Sequence, residues 1–277
     1  MDALDHPRSA VIIAIRGLVV RYADRTILSG IDLDVHDGEI VVIMGASGSG
    51  KSTLLRHMLG LERAQEGSVM VLGVDVASAG QAALAALRQR IGVAFQSGAL
   101  FSSMSVIDNI MLPLAELSDL DPTIMRIMAR LKLEVVGLGG FEDLMPAELS
   151  GGMTKRAAFA RAIVTDPKIL FCDEPSAGLD PAVASAIDDL ILRLRAAMGM
   201  TVVVVTHELA SAFKIADRIA VLDQGEVLFV GAPEALRQQA SERIQNLLNR
   251  RPQDDTLDPE DYLRRLTAEH PLRPVPL

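Results

Sequence analysis

Residues 11–21 alternate apolar and polar side chains, the two-residue period of a strand with one buried face. Three later segments have short, unbroken apolar centres: EIVVIMG (39–45), KILFCDEP (168–175) and TVVVVTHE (201–208). Runs this short, bounded by turn residues, predict strands buried on both faces, which belong in a mostly parallel sheet covered by helices. DRIAVLDQGEVLFVG (217–231) reads as a hairpin turning at Asp223 to Gly225. From about 97 to 160 the strand signal gives way to helical spacing, as in PTIMRIMARLKLEVVG, and a helical subdomain is expected there. PEALRQQASERIQNLLNR (233–250) sets Leu236, Ala240, Ile244, Leu247 and Leu248 on one face of a single helix. The pattern as a whole is that of an α/β fold.

Five of the thirteen prolines fall in the last 26 residues, which marks 251–277 as a tail outside the main domain of about 11–250. Within it, DPEDYLRRL (258–266) has helix-start signals: Asp258 at an N-cap and Pro259 at the first helical position. Tyr262, Leu263 and Leu266 would form its apolar stripe, and two readings stand for residues 257–270: a frayed terminus, or an arm that clasps the partner subunit or a bound regulator.

Composition narrows the function. The chain is 49% hydrophobic but only 3% aromatic, with no Trp, so its core is aliphatic. A net charge of −9 argues against attraction to nucleic acid or anionic lipid. The lone Cys172 excludes an internal disulfide and fits a reducing compartment. The start, MDALDHPRSA, lacks the basic region and apolar run of a secretory signal, and no membrane span is expected.

GASGSGKST (45–53) matches G-x-x-x-x-G-K-[ST] directly after an apolar strand. Its glycines let backbone N–H groups turn inward on phosphate, and Lys51 adds a charge for the β and γ oxygens. This makes Gly45, Ala46, Ser47, Gly48, Ser49, Gly50, Lys51, Ser52 and Thr53 the candidate ATP-binding loop, with Ser52 a Mg²⁺ ligand. A Gly/Ser linker is the bland alternative, but Lys51 is one of only five lysines. Asp173 and Glu174 end the 168–175 run, where a P-loop protein places a Mg²⁺-holding acid and the residue facing the attacking water. A second phosphate-type motif, LSGG (149–152), opens a helix about a hundred residues later, although one nucleotide has one phosphate tail.

The order phosphate loop, Gln96, LSGG, CDEP, SAGLD (176–180), His207 resembles that of ABC-transporter ATPase subunits from about residue 11 to 232. The resemblance implies a P-loop fold with an added antiparallel β subdomain and the helical insertion. It also implies a head-to-tail pair of identical subunits in which Ser150, Gly151 and Gly152 bind the neighbour's γ-phosphate, which accounts for two cradles in one chain. Further roles carry over by position. Tyr22 stacks on adenine, Gln96 joins Mg²⁺ and the attacking water to the membrane part, Asp180 crosses the dimer interface, and His207 meets the γ-phosphate. Residues 97–113 should face a permease. Met153, Ser176 and Cys172 depart from the commonest family pattern, and none of them is a phosphate ligand.

LSGGMTKRAAFARAI and FQSGALFSSMSVIDNI are similar to the ATPases of Mce-type lipid-transport systems, including the Mla system that moves phospholipids between bacterial inner and outer membranes. That implies a permease, an Mce-type lipid-binding protein and a small cytoplasmic regulator as partners, and a peripheral place on the cytoplasmic face of the inner membrane. An ABC ATPase for another cargo, such as an amino acid, a metal complex or an organic solvent, would share every catalytic residue. A soluble ABC ATPase acting on DNA or ribosomes and a P-loop kinase are more distant readings, and a kinase has no use for LSGG.

Overall fold

The computed structural model describes residues 10–23 and 25–249; the tail and its expected helix lie outside them. In chain order the strands are β1 (Val11–Tyr22), β2 (Arg25–His36), β3 (Ile40–Met44), β4 (Glu66–Val71), β5 (Val74–Asp75), β6 (Ile91–Ala94), β7 (Ile169–Asp173), β8 (Thr201–Thr206), β9 (Arg218–Asp223) and β10 (Glu226–Gly231). The helices are α1 (Lys51–Met58), α2 (Gln81–Arg88), α3 (Val106–Leu117), α4 (Pro122–Val135), α5 (Gly151–Ala162), α6 (Pro181–Met198), α7 (Leu209–Ile215), α8 (Pro233–Arg237) and α9 (Glu242–Leu248).

Six strands form one sheet in the order β10-β9-β3-β8-β7-β6, parallel except for the hairpin strand β10. The apolar runs lie at its centre, and every residue of β3 and β8 is buried. Their register puts Met44 opposite Thr206 and Asp173 opposite Val205, so the chain leaves all three central strands at one edge. Ligands of open α/β sheets bind outside such carboxyl ends.

A second, antiparallel sheet, β2-β1-β4-β5, supplies the opposite wall of the core. Ile13, Ile15 and Leu18 share one hydrophobic cluster with Ile43, Leu54 and Phe171. Each such side chain contributes about 1.5–3 kcal/mol through burial. The hairpin turns through left-handed Gln224 and Gly225, as a two-residue loop requires. A Cβ on Gly225 would stand 2.4 Å from the Ile27 carbonyl oxygen. Closeness there lets Gly225 N–H donate to Ser49 O (3.1 Å) and Ser29 N–H donate to Gly225 O (2.9 Å), tying the hairpin to β2 and to the phosphate loop.

Between β6 and β7 the chain is helical. Asn109, fully buried on α3, accepts from Phe101 N–H (2.7 Å) and donates to the carbonyls of Phe101, Met104 and Ser105 (3.0–3.1 Å), fixing the loop before the helix.

The single helix expected over 233–250 is two. Ser241 takes an extended backbone, ψ 123°, and opens α9 at the kind of position serine favours. The chain also divides into two compact units between Gln239 and Ala240, so the common apolar face read from the sequence does not belong to one helix.

Candidate active site

The loop after β3 turns through Gly48 (φ 79°) and Gly50 (φ 104°), and Gly50 caps α1. Such left-handed backbone suits glycine and leaves the first N–H groups of α1 open to an anion. Gly45 is glycine for another reason: a Cβ would lie 2.0 Å from Leu222 O, inside the hairpin strand β9. Lys51, nearly buried, donates to Gly45 O (2.9 Å) and Ala46 O (2.8 Å), so its ammonium lies across the loop's own carbonyls. Burial holds its pKa below the ordinary value, and Glu174 and Asp173 partly oppose the shift. A cleft of about 270 Å³ opens beside the loop, lined by Arg25, Ile27, Gly48, Lys51, Ser52 and Thr53 among others.

Asp173 ends β7 with its Oδ1 buried and unpartnered. Burial and the adjacent Glu174 raise its pKa, against the pull of Lys51, Arg56 and Lys155. Glu174 follows in a left-handed conformation (φ 47°), a strain of about 1–3 kcal/mol for a non-glycine residue. Its N–H donates to Val205 O (2.8 Å). Thr206 Oγ1 donates to its Oε2 (3.0 Å), and His207 Nδ1 lies 2.8 Å from Oε1. The carboxylate is thus held from two sides by the end of β8.

Tyr22 ends β1 with its ring half exposed, and its hydroxyl donates to the Glu62 carboxylate. Glu62 also pairs with Arg56 of α1 (2.7 Å). Asp180 accepts from Ala182 and Val183 N–H (both 3.1 Å) and caps α6. Ser150 caps α5 through Met153 N–H (3.3 Å). A Cβ on Gly152 would meet Val183 Cγ1 at 2.8 Å, so close packing on α6 is one reason for glycine there. Gln96 is exposed beyond β6, and its carbonyl accepts from Lys155.

The structure thus brings Lys51, Asp173, Glu174, Thr206 and His207 to one sheet edge. Ser150, Gly151 and Gly152 do not line the phosphate-loop cleft. Sequence reasoning missed Thr206, Glu62, Arg56 and Lys155, whose importance lies in partners distant along the chain. Lys155 alone carried a signal, as a scarce lysine inside the quoted LSGGMTKR. Cys172 is fully buried and burial pushes its thiol pKa up, which makes it an inert core residue.

A buried strand running through a glycine-rich loop into a helix, with an acidic strand end beside it, defines a P-loop nucleotide-binding protein. The family model described as ABC transporter matches residues 28–177. The intermembrane phospholipid transport system ATP-binding protein MlaF of Haemophilus influenzae is 39% identical over 237 residues, covering 86% of this chain and 90% of that protein. A probable ribonucleotide transport ATP-binding protein, mkl, of Mycobacterium leprae is 37% identical over 241 residues, covering 87% of this chain and 70% of that protein. Among solved structures, a dimeric post-hydrolysis state of the ATP-binding cassette MJ0796 bound to ADP and Pi matches with a TM-score of 0.72 at 31% identity, covering 79% of this chain and 98% of that one. The chain belongs to the ABC transporter family, as an ATP-hydrolysing subunit.

The donor set fits magnesium. No cluster of three or more His, Cys, Asp or Glu able to hold a metal occurs among the described residues. Magnesium in nucleotide sites needs none, since it takes one or two carboxylates and the phosphates themselves. The orphaned Asp173 Oδ1 is the kind of buried oxygen that such an ion would satisfy.

Proposed function

We propose that this chain drives phospholipid transport between inner and outer membranes, as one of two identical ATPase subunits on the cytoplasmic face of an inner-membrane permease. The observation that carries the cargo reading is the likeness to MlaF, which extends over 90% of that protein, against 70% of mkl. An Mce-type lipid-binding protein and a small cytoplasmic regulator complete the assembly.

Within the site, the amides of residues 45–53 cradle the phosphates and Lys51 leaves its own loop carbonyls to meet them. Ser52, Asp173 and Gln96 would hold Mg²⁺, which when bound neutralises charge on the β and γ oxygens. Glu174 orients the attacking water, with its carboxylate aimed by Thr206 and His207. Tyr22, held by Glu62, offers its ring to adenine. Ser150, Gly151 and Gly152 complete the neighbour's site, and Asp180 lies at the joint. The supporting observation is the separation of the two cradles within one chain, and the dimeric state of MJ0796 accords with it.

An apolar groove of about 480 Å³, lined by Phe95, Ala99, Phe101, Leu112, Pro113 and Arg161 among others, offers a seat for the permease beside Gln96. No described helix is long and apolar enough to cross a membrane.

Two experiments test the proposal. Affinity purification from native membranes should recover a permease and an Mce-type protein together with phospholipid; a nucleotide or amino-acid permease in their place overturns the cargo. Ser150→Arg chains mixed with Lys51→Ala chains should regain ATP hydrolysis that neither has alone, because one composite site then carries both defects and the other none. Dimers that form without regaining activity overturn the shared site.

A further inference from the structure

Lys155 lies five residues after Ser150 on α5 and is 7% exposed. Its ammonium donates to two backbone carbonyls, those of Gln96 and Glu174 (3.0 Å to the latter). Burying a cation on neutral acceptors is costly unless the bonds are well placed. Desolvation accordingly lowers its pKa, with Glu174 and Asp173 acting in the opposite sense.

The acceptors explain the placement. β6 and β7 are parallel neighbours with Ala94 opposite Cys172, the last pair of their ladder. Gln96 and Glu174 each lie two residues beyond that pair, where sheet pairing no longer holds the two chains together. Lys155 spans the gap. It joins a residue expected to contact Mg²⁺ and water to the residue expected to orient that water. Glu174 is then restrained at its N–H by Val205, at its carbonyl by Lys155 and at its carboxylate by Thr206 and His207. Farther along α5, Arg161 donates to Gly98 O and Ala99 O (both 2.8 Å), so the same helix holds the Gln96 loop a second time.

We propose that Lys155 is a positioning residue for hydrolysis: from the helix whose N-terminus serves the neighbour's nucleotide, it clasps the Gln96 and Glu174 backbones so that both side chains meet at the subunit's own reaction centre. The second half of this statement rests on the shared-site reading above. Helix α5 then has two duties, one toward each nucleotide of the pair.

Lys155→Met keeps the stem and removes the donors; Lys155→Arg keeps donors and charge. With the full-length protein, Lys155→Met should lower kcat for ATP about 10- to 50-fold while leaving KM and the Kd for a fluorescent ATP analogue within about twofold, and Lys155→Arg should recover most of the rate. Unchanged kcat in Lys155→Met, or equal losses in kcat and nucleotide affinity that arginine does not rescue, overturns the proposal. The mixed dimer locates the effect. Placed in the Ser150→Arg chain, which owns the one intact phosphate loop, Lys155→Met should reduce the recovered activity; placed in the Lys51→Ala chain, which lends only its signature helix, it should not. Equal loss from either chain, or loss only from the second, overturns the assignment to the subunit's own site. If the unaltered mixture is inactive, the two-duty model falls with the shared site, while the kcat contrast between Met and Arg still decides the clasp itself.

Discussion

Glu174 is the most constrained residue of the site: a non-glycine left-handed backbone, a carboxylate fixed from two sides and a carbonyl bound to a buried lysine. Strain of this kind persists only where the surroundings over-determine it. Glu174→Gln keeps the shape and removes the carboxylate to which the proposed function assigns the attacking water. It should retain ATP affinity within about twofold, lose at least about 100-fold in kcat and accumulate ATP-dependent dimers, as read by steady-state hydrolysis and gel filtration. Asp173 shows the cost of readiness. Its pKa is raised, so the nucleotide-free protein holds a carboxylate that burial disfavours. The sign follows: the penalty is full above the folded-state pKa, shrinks as pH falls below it and is gone below the lower unfolded-state value. Asp173→Asn should therefore raise the nucleotide-free Tm by about 2–4 °C near neutral pH, a gain of roughly 1 kcal/mol, and the gain should shrink on acidification, while hydrolysis is lost. Scanning calorimetry across pH checks both statements.

At the scale of elements, the site is an edge where β3, β7 and β8 end together, finished by loops that other elements hold in place. The hairpin of β9 and β10 presses against the phosphate loop, and α3 fixes the stretch after Gln96 through Asn109. Removing Asn109 takes the partner from Phe101 N–H and from Met104 O at a part-buried site, each worth about 1–3 kcal/mol, while Phe101 O and Ser105 O keep the backbone N–H groups of residues 104 and 109. Asn109→Ala should destabilise the chain by at least about 2 kcal/mol in urea unfolding. It should also loosen the 101–105 loop, seen as faster amide exchange there than in β3 or β8.

For the whole molecule, the shared site proposed above has one copy hold the parts of a site without completing one. Phe95 and Phe101 stay 38% and 52% exposed at the groove beside β6, in a chain with only seven phenylalanines. Exposed aromatics in a concave apolar patch suit a partner's helix. Phe101→Asp should lower recovery of the permease about tenfold in co-purification from membranes, while the isolated chain's affinity for a fluorescent ATP analogue stays within about twofold. Retained assembly would move the permease's seat elsewhere.

The sequence by itself determined the strands that are apolar throughout, the phosphate loop that follows the first of them, the acids that end β7 and a hairpin turn within Asp223 to Gly225, which the structure narrows to Gln224 and Gly225. Each is a local signal, because a buried strand, a glycine-rich turn and an acidic strand end are written in consecutive residues. It did not reveal β2, although Ile31, Leu33 and Val35 alternate there with polar residues, nor the short β4 and α2, and it ran α8 and α9 together, because helical periodicity does not register the extended backbone at Ser241. The tertiary structure alone decided that Thr206 and His207 would aim Glu174, that Glu62 would hold Tyr22, and that Lys155 would reach both Gln96 and Glu174. Lys155 stands 59 residues from Gln96 and 19 from Glu174 along the chain, and no local pattern encodes contacts that exist only once three strand ends and a helix have packed at one edge.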